Sequence, residues 1–269
     1  MEIEGNLLKM RTEFSSPVNY YLRAGENEVL LNRLLNTEIR LEFSGMINCV
    51  KCGTRTKKSY NQGFCFQCMQ TAPESDPCII HPEKSMAQFG IARDMDWAVL
   101  HDLIPHVVYL SLTSGLKVGV TRHNQIPVRW IDQGAIKAIK LAQTPNRHIA
   151  GVIEKFLRQF VADKTNWKQM LLNPFDASTN LVDEKQRIVQ LLHQELKQYV
   201  MPDDTVQEII YPGEFDFQTL DALTFDKQKL IEGKLIAIKG QYLIFSNNTC
   251  INIRKHTAYY VNVCYDKNI

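Results

Sequence analysis

Five of the seven cysteines lie between residues 49 and 78, and four of them stand as two pairs. Cys49-Val-Lys-Cys52 is followed, after twelve intervening residues, by Cys65-Phe-Gln-Cys68. This spacing constrains the chain more than any other feature. A CxxC turn aims two thiolates at one point, and two such turns supply the four sulfurs of a tetrahedral zinc site. A loop this short cannot bury a core of its own, so the bound ion takes the place of one. The expectation is a zinc ribbon over residues 49–82. The zinc is structural, because four cysteines leave no open coordination position. Cys78 and His81 form a C-x-x-H pair that is read either as further ligands or as a buried thiol beside a surface imidazole.

The loop between the pairs carries Arg55, Lys57 and Lys58 with Tyr60 and Phe64, and Lys51 adds a fourth positive charge. Cations interleaved with aromatics suit phosphates and stacked bases, although any small metal loop is polar. The net charge of +2 conceals a segregation. By segment it is −2 for residues 1–48, +4 for 49–70, −4 for 71–106, +7 for 107–170 and −3 for 171–269. Two basic blocks in an otherwise acidic chain favour a polyanionic partner, here RNA or DNA. With 45% hydrophobic and 22% charged residues the chain is expected to be folded and not disordered. No stretch reaches the roughly 20 apolar residues of a membrane span. The acidic, amphipathic start lacks the pattern of a secretory leader, so the expected location is cytoplasmic, with no membrane partner.

Short alternating runs mark both chain ends. Glu2–Arg11, Val18–Arg23 and Thr37–Phe43 read as strands, as do Lys234–Lys239, Gln241–Phe245, Thr249–Arg254 and Tyr259–Cys264. Together they suggest a small barrel or sheet built from the N-terminal region 1–48 and the C-terminal region 201–269. Between them, residues 83–200 read as an α/β module. Val107–Leu112 and Leu116–Thr121 flank Ser114-Gly115 as a hairpin. Ala135–Ala142 reads as a helix, and His148–Val161 carries an amphipathic stripe with Glu154 at its edge. Residues 181–199 read as another helix ending before Pro202. The fold class is therefore α+β. Phosphate-cradling glycine loops, nucleophile elbows and dinucleotide fingerprints are absent from the sequence, which argues against nucleotide-fuelled and esterase chemistry.

The order Tyr109 on one strand, Lys117-Val-Gly119-Val-Thr-Arg122 on the next, then Arg129-Trp130 and a later helical Glu154 resembles the GIY-YIG nuclease superfamily. Across its length the chain also resembles an uncharacterised bacterial family of domain-of-unknown-function proteins. The superfamily resemblance implies a Mg²⁺-dependent endonuclease. In it Tyr109 helps deprotonate the attacking water, Lys117 and Gly119 occupy the second-strand motif, Arg129 stabilises phosphate charge and Glu154 holds Mg²⁺. Lys51, Arg55, Lys57, Lys58 and Arg122 would contact the nucleic acid. Lys117-Val118 stands where a second tyrosine is usual, and Trp130, Asp132 and Gln133 stand where a His or Tyr is expected after the arginine. The competing reading is a non-catalytic, zinc-stabilised module that binds RNA, DNA or protein. In that reading Glu154 simply pairs with Arg158 at i+4.

Overall fold

Ile39 and Leu41 are buried between exposed Glu38, Arg40 and Glu42 on the strand Glu38–Asn48. A strand of this length needs partners on both edges. It finds them in Tyr259–Tyr265 and Leu230–Lys239, both antiparallel to it and both more than 180 residues away. The computed structural model describes residues 1–172 and 179–266. The chain divides into two units, one of Met1–Gln70 with Ile210–Ile269 and one of Thr71–Ile209.

The first unit is built on an eight-stranded sheet. Its order runs from Glu2–Asn6 through Tyr259–Tyr265, Glu38–Asn48, Leu230–Lys239, Tyr242–Phe245 and Thr249–Asn252 to Asp221–Leu223. Arg55–Thr56 pairs with the end of Glu38–Asn48. A smaller sheet of Arg11–Glu13, Asn19–Ala24 and Asn27–Leu30 accompanies it. The terminal strands do pair, but the large sheet is an open path and does not close into a barrel. The run expected as one strand over Glu2–Arg11 breaks after Asn6, where Leu7 is fully buried.

In the second unit a four-stranded sheet has the order Val206–Glu208, Lys137–Thr144, His106–Leu112, Leu116–Arg122. The expected hairpin forms, with Tyr109 opposite Gly119 and Ser111 opposite Lys117. Residues 135–142, expected as a helix, instead lead into the strand Lys137–Thr144. A short apolar run fits either period. Here the second edge of His106–Leu112 decides, because it would otherwise remain open in the middle of the core. Val108, Leu110, Val118 and Ile139 meet Ile153 and Leu157 of the helix Arg147–Leu157, and Leu181 and Ile188 of the helix Leu181–Leu191.

Asn146 caps the first of these helices by accepting the Ile149 N–H at 3.0 Å. That helix ends four residues before the expected Val161. The chain then turns so that the Ala162 carbonyl accepts the Val118 N–H at 2.8 Å. The helix expected over 181–199 is two, Leu181–Leu191 and Gln194–Lys197, with Leu192 extended between them. Among the described residues no helix is long and apolar enough to cross a membrane.

Candidate functional site

The strand Glu38–Asn48 delivers Cys49 directly into the first metal turn. Cys49 N–H donates to the Thr54 carbonyl at 2.9 Å, and Gly53 N–H donates to the Cys49 carbonyl at 2.8 Å. Gly53 takes a φ of 71°, a left-handed conformation that glycine adopts without strain. The Lys51 N–H points at Cys49 Sγ (3.4 Å), and the Cys68 N–H points at Cys65 Sγ (3.4 Å). All four sulfurs lie within 4.8 Å of one another, with Cys52 and Cys65 at 3.9 Å. A zinc–sulfur bond of about 2.3 Å gives a tetrahedron edge of about 3.8 Å, so small movements close the set.

Hydrogen bonds from the Thr54 side chain and backbone hold Cys52 down to about 6. Withdrawal from solvent, and then the neighbouring sulfurs, push Cys68 up to about 12. Four thiols so close cannot all ionise unless a cation sits among them. The set can bind a zinc ion. Cys78 and His81 lie outside it. Cys78 is buried in the second unit with Sγ 3.6 Å from Asp102 Oδ2, and His81 faces Glu83 at 3.9 Å.

The second unit gathers Tyr109, Lys117, Gly119, Arg129 and Glu154 from four separate elements. Tyr109 is fully buried on the central strand, and its Oη donates to Gln133 Oε1 at 2.9 Å. Trp130 meets its ring edge-on at a centroid distance of 5.9 Å. A Cβ on Gly119 would stand 2.6 Å from the Tyr109 oxygen, so a larger residue there would displace the phenol. Burial lifts Tyr109 to about 12, partly opposed by the positive charge and hydrogen bonding of Arg129 on the short helix Val128–Asp132. Lys117, only 5% exposed, falls to about 8 through burial and Arg129, with Glu154 and Asp163 opposing.

Burial also raises Glu154, which is 7% exposed, against the pull of Arg158. Arg158 Nη2 is 3.0 Å from Glu154, and its Nε is 3.1 Å from Asp163. The i, i+4 pair legible in the sequence is thus present, and a second carboxylate extends it. The turn after the helix completes the surroundings. Lys117 Nζ reaches Thr165 Oγ1 at 3.5 Å, Thr165 meets Thr113 at 3.2 Å, and Asn166 N–H donates to Ser114 Oγ at 2.9 Å.

Arg122 does not join this group. It lies at the other end of its strand, half-buried, where Arg147 and Asp102 act on it. Asp102 and Arg147 form a buried ion pair at 2.6 Å, and Ser85 Oγ donates to the same carboxylate at 3.1 Å. Sequence reasoning missed this network, because its members are 17 to 62 residues apart and match no motif. Of the loop cations, Lys51, Arg55, Lys57 and Lys58 are all exposed.

No curated protein and no solved structure matches the chain. One family model matches residues 36–261, a stretch that contains both the thiol cluster and the polar group around Tyr109. The chain therefore belongs to the DUF2797 family, whose description is a protein of unknown function.

Proposed function

We propose that the protein is a zinc-stabilised, nucleic-acid-processing enzyme that hydrolyses phosphodiester bonds at Tyr109, Lys117, Arg129 and Glu154. The observation that carries this reading is the gathering of those four ionisable groups, from two strands and two helices, beside one sheet. Burying Tyr109, Lys117 and Glu154 costs stability that a purely structural role does not require. The strand order adds support. The tyrosine strand is central and flanked by the second and third strands of the unit, with the arginine helix between those two and the glutamate helix after them.

The protonation states refine the roles. A phenol near 12 keeps its proton at neutral pH and donates it in a hydrogen bond to Gln133, so Tyr109 serves the site as a neutral positioning group and not as the base. Lys117, lowered to about 8, is the better acceptor for the proton of an attacking water. Arg129 sets a fixed cation against the charge that develops on phosphate. Mg²⁺ needs few protein ligands and keeps waters of its own. Glu154, with Asp163 on the far side of Arg158, offers the oxygen donors to hold it. When bound, the ion would supply Lewis-acid stabilisation of the leaving and attacking oxygens. The test is cleavage of a panel of labelled RNA and DNA substrates with Mg²⁺. Glu154→Gln should abolish cleavage with the melting temperature little changed; cleavage that persists in this variant would refute the assignment.

A second reading is a non-catalytic binding module. It is favoured by the Arg158 bridge, which holds Glu154 and Asp163, and by the enclosure of Tyr109 under Trp130. In that case the panel shows retention of nucleic acid without turnover.

A further inference from the structure

The zinc loop and the turn after Thr249–Asn252 face each other in the first unit across an open cleft of about 630 Å³. Lys57 and Lys58 line one wall, Arg254 and Lys255 the other. Gln62 and Asn252 supply neutral polar groups between them. The one acid in the lining is Asp226, whose carboxylate already accepts from Tyr259 Oη at 2.7 Å and Thr224 Oγ1 at 3.2 Å. Four cations against one engaged carboxylate leave the cleft strongly positive.

The walls are fixed. Arg254 Nε donates to Gln62 Oε1 at 2.6 Å, Lys255 N–H to Asn252 Oδ1 at 2.9 Å, and Ser59 Oγ to the Thr257 carbonyl at 3.3 Å. The loop wall also depends on the thiol cluster, because the Val50 N–H inside the first metal turn donates to the Gly63 carbonyl at 2.9 Å. On the same loop Lys58 lies 5.4 Å from the centre of the Tyr60 ring. Phe66, 54% exposed, meets that ring edge-on at 5.6 Å.

We propose that this cleft is the docking site for a nucleic-acid strand, held open by the metal centre, with the paired cations on each wall taking successive phosphates. The proposal rests on the reading that the protein acts on nucleic acid, and it names where that partner is held. A single small anion needs one or two cations. Two adjacent pairs on facing walls of an open cleft, with Tyr60 next to Lys58 and Phe66 against Tyr60, fit a chain of phosphates carrying bases.

The experiment uses the full-length protein, a fluorescein-labelled 20-nucleotide single strand and a salt titration. Lys58→Ala combined with Lys255→Ala removes two exposed side chains, so the fold should survive, as an unchanged melting temperature would show. The expected result is at least a tenfold loss of affinity at low salt. The slope of log K against log salt should become shallower by roughly one to two. Zinc removal with a strong chelator should lower affinity in the same direction. Unchanged affinity and slope in the double variant would overturn the proposal, as would binding of inorganic polyphosphate with none of the oligonucleotide. Glu154→Gln in parallel separates the two readings. Cleavage lost only with Glu154, while the cleft variant binds normally, removes the cleft and keeps the enzyme. Binding lost only in the cleft variant, with no cleavage by any form, keeps the cleft and removes the enzyme.

Discussion

Lys117 has a price in stability that can be measured. Its drop from 10.5 to about 8 corresponds to roughly 3 kcal/mol of disfavour for the charged form in the folded state. Below about pH 8 the native protein carries that charge buried, and the full penalty applies. Between about 8 and 10.5 the unfolded chain holds the proton more tightly than the folded one, so stability rises with pH. Lys117→Met should therefore raise the melting temperature at pH 7 and lose that advantage as pH climbs through this window, measured by calorimetry. Lys239 is also lowered to about 8, and the variant isolates the first of the two. Loss of activity combined with gain of stability would mark a residue kept for chemistry. Gly119→Ala probes the same place by size. The added methyl meets the Tyr109 oxygen, and the overpacking should cost about 1–3 kcal/mol in denaturant titrations.

Among the elements, the thiol pairs were the most legible, because ligand spacing is a local property that survives in sequence. The hairpin around Ser114-Gly115 was legible for the same reason. The strand Lys137–Thr144 was not. Its identity comes from an open edge on His106–Leu112, some thirty residues away, and no window of sequence contains that edge. The group around Tyr109 could be ordered along the chain but not assembled from it. Asp163 and Thr165 enter only because the turn after the Glu154 helix folds back onto Val118, and Gln133 enters from the end of the arginine helix. At this scale, Cys52→Ser should remove the metal and loosen the loop that depends on it. Hydrogen exchange at Cys49–Phe64 should quicken first, while the amides of His106–Leu112 in the second unit remain protected. Equal loss of protection in both would show that the metal supports more than its own ribbon.

Across the whole molecule, the chain's two ends complete one sheet. Glu2–Asn6 pairs along Tyr259–Tyr265, and the Met1 amino group lies 2.7 Å from the Tyr265 carbonyl. Deleting residues 1–6 should expose the edge of the last strand. The expected outcome is a lower melting temperature and faster exchange at Tyr259–Tyr265, with the four-stranded sheet of the second unit unaffected.

The same pairing has a consequence for synthesis. Glu38–Asn48 leaves the ribosome more than 180 residues before either of its long-edge partners. Until they emerge, most of this strand has both edges bare, while every partner of the four-stranded sheet has emerged by Glu208. Its exposed Glu38, Arg40 and Glu42 then act as guards against pairing with other nascent chains. A chain that breaks off before Leu230 would leave Glu38–Glu42 without a partner on either edge.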